Sequence, residues 1–485
     1  MENSGSDIAA SIVSPVVPAH LARHGAQTIT EQLAARYASL IRERLLAPGA
    51  KLPSVRQCAS QHGINPSTVV TAYDMLQAQG LVEARPQRGY FVREQSMVRA
   101  VTPADRKLVK PAPPVNAATL IRGMFQPPGE RAQPAAGVFP PDWLDAGLLT
   151  SALRKATSQT QLGDLSLRYG DPLGDAELRR VLAMRLQAMG MPVQANGVIT
   201  TVGATHALDV VSRTMLKPGD KVMVEQPGWA VEFARLGALG MEILPVPRTS
   251  AGPDLGVMER FCQLHRPKLY VSVSVLHNPT GHCLNPASAH RVLQLAHQYD
   301  FHVVEDDTYG HIAPPHSTRM SVLDGLQRTI YVSGFAKILA PNWRVGYLAA
   351  PEPLLEPLLD TKLLGTLTTP SVMERALAIA IEQGHLRRHI ERVRQRLDEA
   401  RTRSVKQALA AGCDFVSEPA GLFGWVDTGV DTELLSQRML DEGYLIAPGT
   451  LFQADRSPST LMRINFATTQ DATFWKVFRR LLADR

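Results

Sequence analysis

A stretch with many prolines and few large apolar residues, from residue 96 to about residue 135, interrupts the chain. Closely spaced prolines keep such a segment semi-extended, and it buries too little apolar surface to fold alone. A single hydrophobic core stops growing at roughly 250–300 residues, so a chain of 485 residues is expected to form two or three domains. The sequence therefore predicts a linker between two folded units. Its prolines are Pro103, Pro111, Pro113, Pro114, Pro127, Pro128 and Pro134.

The composition is that of a folded protein in water, with 45% hydrophobic and 20% charged residues. No apolar run approaches the roughly 20 residues that a membrane span needs, so no membrane contact is expected. Residues 1–25 contain no continuous apolar stretch and are interpreted as a leader rather than a signal peptide, which predicts a cytoplasmic protein. A formal net charge of +6 permits binding to a polyanion. No metal is expected, because no two of the four cysteines have zinc-site spacing: Cys58, Cys262, Cys283 and Cys413.

The segment before the linker has the signals of three helices and a hairpin. Apolar residues recur at helical spacing up to Pro48-Gly49, and Ser54 and Asn65 are good N-caps for two further helices. Short apolar runs at 81–84 and 90–92 flank a turn. This order predicts a winged helix-turn-helix.

Arginines can reach phosphate or guanine edges, and short hydroxyl side chains at a helix N-terminus approach the DNA backbone closely. A glycine in a wing can also approach the DNA backbone closely. The predicted DNA contacts are Arg56, Ser67, Thr68, Arg88 and Gly89.

Four motifs of this segment together resemble the GntR family of winged-helix repressors over about 65 residues. They are Leu52-Pro53-Ser54-Val55-Arg56, Pro66-Ser67-Thr68-Val69, Gly80 to Arg85, where Gly80 closes the third helix, and Arg88 to Val92. The resemblance implies binding to double-stranded operator DNA. Many members carry a basic residue where this chain has Pro66, and the modest positive charge of the segment implies that specific affinity needs two copies.

After residue 198 short apolar strands alternate with amphipathic helical patterns. The predicted strands span 198–202, 221–225, 269–275, 301–305 and 329–332, and one intervening helix spans 287–299. Such alternation predicts an α/β domain with a parallel or mostly parallel sheet and helices on both faces. Ligands of such sheets lie at the carboxyl ends of the strands.

Chemically useful side chains follow these strands. Asp306 comes directly after one of them, Tyr309 follows Asp306, Lys337 follows another by five residues, and Asn278 lies in a turn after a third. Each signal alone is weak, since a lone lysine after a strand is usually a surface residue. Together they match a pyridoxal-5′-phosphate (PLP) site, which needs an amine for the aldehyde, an acid for the ring nitrogen and donors for the phenolate oxygen.

The same cofactor needs a phosphate cradle and a stacking partner, and an amino-acid ligand needs a cation for its carboxylate. A helix that opens directly after the strand 198–202 offers backbone N–H groups for the phosphate. The stacking partner is assigned to Trp229, and the cation for the carboxylate to Arg463. The phosphate cradle is assigned to Ala204, Thr205, Ser333 and Arg344.

In this order the motifs resemble the fold-type I aminotransferases over about 340 residues. The resemblance implies PLP bound through Lys337. It also implies a homodimer, because Tyr169 matches a tyrosine that reaches the phosphate of the neighbouring subunit. Gly334 and Ala336 depart from the family, since many members have hydroxyl residues there.

A GntR-like reader followed by an aminotransferase-like domain resembles the MocR subfamily of transcription regulators. The resemblance implies that the second domain senses an amino compound or PLP itself. The hypothesis is that a ligand amine replaces Lys337 on the cofactor and thereby biases the dimer geometry. Two alternatives stay open: an active aminotransferase that carries a DNA-binding domain, and a PLP domain that serves only to dimerise.

The predicted organisation therefore has four segments. A disordered leader spans 1–28, a GntR-type winged helix-turn-helix spans 29–95, a proline-containing linker spans 96–137, and an aminotransferase-like PLP domain spans 138–485.

Overall fold

The computed structural model describes residues 28–42, 46–47, 49–78, 81–85, 88–92 and 133–483. The predicted leader, apart from residue 28, and the predicted linker up to residue 132 lie outside these ranges. Pro48 and Gly80, the expected ends of two helices, also lie outside them. The chain divides into two compact units, Met1–Lys107 and Leu108–Arg485, and each is described by itself.

The first unit contains three helices and a hairpin. Ser54 caps the second helix by accepting a hydrogen bond from the Gln57 N–H at 3.3 Å, and Asn65 caps the third by accepting from the Ser67 N–H at 3.0 Å. The strands pair antiparallel, with Val82 opposite Val92. The elements are α1 (Ile29–Arg42), α2 (Val55–His62), α3 (Pro66–Ala78), β1 (Val82–Arg85) and β2 (Gly89–Val92).

One face of α3 forms the centre of this small core. Val69, Tyr73 and Leu76 are fully buried, as their helical spacing predicts. The Tyr73 hydroxyl donates to the Pro53 carbonyl at 3.0 Å and thereby joins α3 to the segment before α2. The opposite face of α3 is left for contacts outside the unit.

The second unit is built around a seven-stranded sheet. Its helices are α4 (Ala146–Ala156), α5 (Gln159–Ser166), α6 (Ala176–Ala188), α7 (Ala204–Met215), α8 (Ala230–Ala238), α9 (Leu255–His265), α10 (Pro286–Tyr299), α11 (Met320–Asp324), α12 (Glu352–Thr366), α13 (Ser371–Glu382), α14 (His385–Ala410), α15 (Thr432–Asp441) and α16 (Ala472–Ala483). Its strands are β3 (Val198–Val202), β4 (Lys221–Gln226), β5 (Glu242–Pro247), β6 (Leu269–Ser272), β7 (His302–Asp306), β8 (Thr329–Gly334), β9 (Val345–Ala349), β10 (Asp414–Phe415), β11 (Phe423–Asp427), β12 (Ala447–Pro448) and β13 (Leu461–Asn465).

The strand order of the large sheet is β3-β9-β8-β7-β6-β4-β5. Strand β9 is antiparallel to both of its neighbours, and the other neighbouring strands run parallel. The prediction of an α/β fold with a mostly parallel sheet is therefore confirmed.

Both faces of this sheet are covered by helices, which explains the continuous apolar runs of its strands. Val222 and Val224 of β4 pack on one side with Val211 of α7. Met223, which lies between them, packs on the other side with Val292 of α10. Because helices cover both faces of the sheet, a ligand is expected at the carboxyl ends of the parallel strands.

Sequence reasoning missed several elements of this unit. Strands β5 and β9 were not expected, nor was the four-stranded antiparallel sheet β10-β11-β13-β12. The strand β13 of that smaller sheet carries Arg463, so the second sheet positions part of the site.

Among the residues that the structure describes, no helix has the length and apolar character needed to cross a membrane. Within the same ranges, no three His, Cys, Asp or Glu side chains are grouped as metal ligands.

Candidate functional site

Lys337 lies in the turn that follows β8 and is partly buried. Its pKa is lowered to about 8, mainly by burial and also by the charge of Arg463, while the charge of Asp306 opposes the shift. A β-carbon built on Gly137 would lie 3.6 Å from Lys337 Nζ, so the amine faces the backbone of the segment that begins the second unit. The fraction of this amine that is neutral, and therefore nucleophilic, near neutral pH is much larger than for an ordinary lysine.

Asp306 ends β7 and is buried. Its Oδ1 accepts hydrogen bonds from the Thr308 N–H at 3.0 Å and from the Thr308 hydroxyl. The pKa of Asp306 is raised to about 6, mainly by burial; the Thr308 hydrogen bonds oppose this rise, and the charge of Glu232 adds to it. A carboxyl in this position gains most from a cationic partner, such as a protonated ring nitrogen.

Tyr309 and Asn278 are buried beside these two groups. Burial raises the pKa of Tyr309, while the Arg463 charge and the neighbouring Asn278 amide lower it. The tyrosine ring packs edge-on against Phe423, with 5.5 Å between the ring centroids. Tyr309 is therefore a neutral phenol held in one orientation, able to donate its proton.

Arg463 is buried between two aromatic rings. Its Cζ lies 4.3 Å from the centroid of Phe423 and 5.2 Å from that of Phe452. Nη1 donates to the Asn278 Oδ1 at 2.9 Å and Nη2 to the Ala135 carbonyl at 2.8 Å. Burial lowers the pKa of Arg463 to about 10, which still leaves it charged at neutral pH. The guanidinium can therefore bind a carboxylate with two N–H groups.

The N-terminus of α7 forms a cradle of backbone N–H groups. Gly203 precedes the helix with φ 80°, and a β-carbon on Gly346 would lie 2.6 Å from the Ala204 nitrogen. A β-carbon on Gly334 would lie 3.5 Å from the same nitrogen. Glycines at 334 and 346 therefore allow the backbone of β8 and β9 to pack close to the first turn of α7, whose N–H groups can bind an anion.

Arg344 lies at the mouth of this cradle and is exposed. Its Nη2 donates to the Val202 carbonyl, at the end of β3, at 3.1 Å. Arg344 and Thr205 line one groove, which brings a guanidinium and a hydroxyl to the first turn of α7. The residues that line the groove are Val202, Thr205, His206, Asp209, Arg235, Arg344 and Thr366.

A second candidate surface lies in the first unit. Arg56 on α2, Ser67 in the first turn of α3, and Arg88 and Gly89 in the wing are exposed, while Thr68 is half-buried. The Ser67 hydroxyl donates to Asn65 Oδ1 at 2.9 Å, and Gly89 has φ 100°.

Sequence reasoning missed two cations of this surface. Lys51 Nζ lies 5.8 Å, and Arg85 Cζ 4.7 Å, from the ring centroid of Phe91. Both side chains are exposed and lie against the same ring at the base of the wing, and Arg85 is also paired with Glu83 at 2.7 Å. A basic residue before the Leu-Pro-Ser motif is the sequence signal that would have found Lys51.

Residues 137–481 match the model of the family Aminotransferase class I and II. The chain belongs to this family. Residues 29–92 match the model of the bacterial regulatory proteins of the gntR family. An aminotransferase-family domain preceded by a GntR reader is the MocR architecture, so the predicted resemblance is confirmed.

Two relatives are similar to this chain over most of its length, including both the DNA-binding segment and the aminotransferase-family domain. YdcR of Escherichia coli K12, an uncharacterized HTH-type transcriptional regulator, is 29% identical over 455 residues, 90% of this chain and 94% of the relative. YisV of Bacillus subtilis 168, described in the same words, is 26% identical over 439 residues, 88% and 90% of the two chains. Pyrococcus horikoshii kynurenine aminotransferase, solved in complex with PMP, has a TM-score of 0.68 and 25% identity, over 76% of this chain and 93% of its own.

For three residues predicted to bind the cofactor, the structure gives no direct hydrogen bond to Lys337, Asp306 or Arg463. The Ser333 hydroxyl is buried and donates to the Asp307 carbonyl at 3.1 Å, so its proton is already used within the sheet. Trp229 precedes α8 and packs partly buried against the core on one face of the sheet. Tyr169 is 84% exposed.

Two further residues of the aminotransferase-family site were not found from the sequence. The buried carboxylate of Glu232, which acts on the Asp306 pKa, is paired with Arg235 at 2.5 Å. Asn465 donates from Nδ2 to the Ala136 carbonyl at 2.7 Å. Asn465 had a usable signal, because residues two apart on a strand share a face with Arg463.

Proposed function

We propose that this chain is a DNA-binding transcription regulator whose aminotransferase-family domain holds PLP at Lys337 and senses an amino compound or PLP itself. The carrying observation is the Lys337 amine, whose pKa burial lowers to about 8 and which lies close enough to Asp306 and Arg463 for both charges to act on that pKa. When bound, PLP supplies an aldehyde that condenses with amines and a ring that withdraws electrons. The DNA-binding role supports a cytoplasmic location, which is part of the proposal.

The described residues fit this cofactor. Asp306 would hold the proton of the ring nitrogen, and Tyr309 and the Asn278 amide would donate to the phenolate oxygen. The N-terminus of α7, packed against two glycines, offers backbone N–H groups to a phosphate. Its ligands would be Ala204 N–H, Thr205 N–H and hydroxyl, and Arg344, with Trp229 stacked on the ring.

Ser333 contributes to this site at one remove. Its hydroxyl holds the Asp307 carbonyl, which directly follows Asp306 in the chain. It thereby fixes the end of β7 beside the turn that carries Lys337.

We further propose a homodimer in which Tyr169 of one subunit reaches the phosphate of its partner. Tyr169 and Leu167 are each 84% exposed, and Leu364 is 92% exposed. Leu364 lies two residues from Thr366, which lines the groove with Arg344. Large exposed apolar side chains next to a ligand groove favour burial by a second subunit.

For the DNA, Arg56 and Arg88 would contact phosphates or guanine edges, and Ser67, Thr68 and the Gly89 backbone would contact phosphates. The partner is double-stranded operator DNA, read by two copies of the unit in the dimer.

The test is spectroscopic. Purified full-length protein is mixed with PLP and then with a panel of amino acids, and the absorption of the cofactor is recorded. Lys337→Ala should abolish the wild-type band, while Lys406→Ala, which changes an exposed lysine on α14, should leave it intact. An unchanged band in Lys337→Ala overturns the assignment. Accumulation of keto acid and PMP would favour the enzyme over the sensor.

A further inference from the structure

Helix α3 of the first unit contains no lysine or arginine. It follows α2 after the short turn Gly63 to Asn65, in which Gly63 has φ 61°. Two helices joined by so short a turn form a helix-turn-helix, and the N-terminal part of the second helix is the part that meets base edges in the major groove of DNA. The residues that α3 exposes are Pro66, Ser67, Val70, Thr71, Asp74 and Gln77.

The positive charge of this unit lies on the elements before and after α3. Arg56 is exposed on α2, and Lys51, Arg85 and Arg88 are exposed around the wing. Cations on neighbouring elements suit the phosphates that border a groove, and such contacts carry no sequence information directly. The base edges on the floor of the groove are therefore left to the uncharged start of α3.

The hydroxyl groups at the start of this face are engaged within the protein. The Thr71 hydroxyl donates to the Ser67 carbonyl at 3.0 Å, and the Ser67 hydroxyl donates to Asn65 Oδ1 at 2.9 Å. The β-carbon of a threonine carries one hydroxyl and one methyl group, so a hydroxyl turned back to the helix leaves the methyl group for outside contacts. Thr71 therefore offers DNA an apolar contact.

Val70 extends this apolar surface. It is 39% exposed, whereas Val69 beside it is fully buried. Among the described residues of the first unit, Val70 is the only large apolar side chain that is this exposed. Residues four apart are neighbours on a helix surface, so Pro66 and Val70 form one row and Ser67 and Thr71 form the next. The outward surface of the first two turns of α3 is thus mostly hydrocarbon.

Asp74 ends this surface. It lies one turn after Val70, and its Oδ1 accepts a hydrogen bond from the Tyr90 hydroxyl of β2 at 3.3 Å. A carboxylate is repelled by the phosphates of DNA. Close approach to the bases is therefore suited to the two turns before Asp74.

We propose that Val70 and Thr71 select the operator sequence by packing against the 5-methyl groups of thymines in the major groove. Thymine presents a methyl group there, whereas the other bases present hydrogen-bonding atoms that a valine and an engaged threonine hydroxyl do not match. The inference rests on the proposed DNA-binding role and narrows it, because each operator half-site must then contain a thymine whose methyl group is buried on binding. The surrounding cations add affinity without sequence preference.

The first experiment selects duplexes from a random pool with the full-length, PLP-loaded protein. Each thymine of the selected site is then replaced, one at a time, by deoxyuridine, which keeps the base pair and removes only the 5-methyl group. At a contacted thymine the Kd should rise about four-fold, as expected for one methyl group left in water. Fluorescence anisotropy at a fixed salt concentration measures the Kd. A selected site in which no thymine responds overturns the inference.

The second experiment repeats the replacement with two variants. Val70→Ser removes the exposed methyl groups at a similar helix propensity, and Thr71→Ser removes one methyl group while it keeps the hydroxyl that bonds to Ser67. Each variant should bind the thymine duplex more weakly and should lose the four-fold difference between thymine and deoxyuridine at its own contact.

Gln77→Ala is the matched control, because Gln77 is exposed on the same helix two turns beyond Val70. It should keep the four-fold difference. A full difference in both serine variants overturns the inference, even where their overall affinity falls.

The two proposals fail in different ways. If the wild-type protein enriches no sequence from the random pool, the DNA-binding role itself fails. If a sequence is enriched but deoxyuridine binds as tightly as thymine at every position, the DNA-binding role stands and only the methyl contact of α3 fails.

Discussion

At the scale of single residues, burial shifts the pKa values of Lys337 and Asp306 in the direction that favours the neutral form of each group. Burial lowers the pKa of Lys337 to about 8 and raises that of Asp306 to about 6, so both lose charge more readily than in water. A neutral amine is the form that attacks an aldehyde, and a buried carboxyl gains from a cationic ring nitrogen. The two shifts are thus matched to opposite ends of one cofactor.

The Lys337 shift predicts a pH dependence for cofactor capture. The lowered pKa means that the neutral fraction of the amine grows as pH rises and saturates above about pH 8. The rate constant for PLP uptake by the cofactor-free protein should rise about tenfold per pH unit below that value and then level off. Stopped-flow absorbance between pH 6.5 and 9.5 measures it.

The matched control for this profile is 4-deoxypyridoxine 5′-phosphate, which has no aldehyde. Its binding should lack the step near pH 8. A midpoint near the ordinary lysine value of 10.5 would contradict the buried position of the amine.

At the scale of elements, the glycine-lined start of α7 decides whether a phosphate fits. A β-carbon on Gly346 would lie 2.4 Å from the Gly203 carbonyl carbon, whereas one on Gly334 would have no neighbouring atom closer than 3.2 Å. Many members of the family have a hydroxyl residue where this chain has Gly334. Substitutions at the two glycines are therefore expected to change the Kd for PLP in opposite directions.

Gly346→Ala should raise the Kd for PLP about tenfold or more, because overpacking costs typically 1–3 kcal/mol. Gly334→Ser should lower the Kd a few-fold, because its hydroxyl would lie beside the Ala204 N–H. Fluorescence titration with PLP and with pyridoxal, which lacks the phosphate, measures both. Equal effects on PLP and pyridoxal would show that the cradle does not bind phosphate.

The winged helix is the second element that permits a direct test. Arg56 is exposed on α2, so Arg56→Ala should weaken binding to the DNA that flanks the gene. It should also reduce the slope of log affinity against log salt by roughly one, the value for a single neutralised phosphate. Fluorescence anisotropy at several salt concentrations measures this slope, with Lys406→Ala as the control. An unchanged slope removes Arg56 from the interface.

At the scale of the whole molecule, the sequence predicts the groups that follow strand ends. Lys337 and Asp306 were placed by the rule that parallel strands open at their carboxyl edge, and strands β7 and β8 of the observed sheet lie side by side there. The cap residues Ser54 and Asn65 were predicted by local backbone chemistry alone.

What the sequence could not predict depends on contacts distant in the chain. The Arg463 bond to the Ala135 carbonyl joins residues 328 positions apart, and it uses a backbone atom that every residue has. The charge of Glu232 acts on Asp306 only because α8 and β7 are brought together by the fold. Strand β9 was missed because it pairs antiparallel and breaks the strand-then-helix alternation.

The coupling between the cofactor site and the reader is the claim that joins the two units. Coupling free energies between sites are typically 1–3 kcal/mol, about 5–150-fold in affinity. It is tested most directly by anisotropy titration of the DNA that flanks the gene with PLP-loaded wild type and Lys337→Ala, each with and without the amino acid that most alters the cofactor spectrum. The predicted result is an apparent Kd that shifts at least about five-fold with the amino acid in wild type and stays constant in Lys337→Ala. A wild-type Kd that ignores the amino acid, or an equal shift in Lys337→Ala, would contradict it.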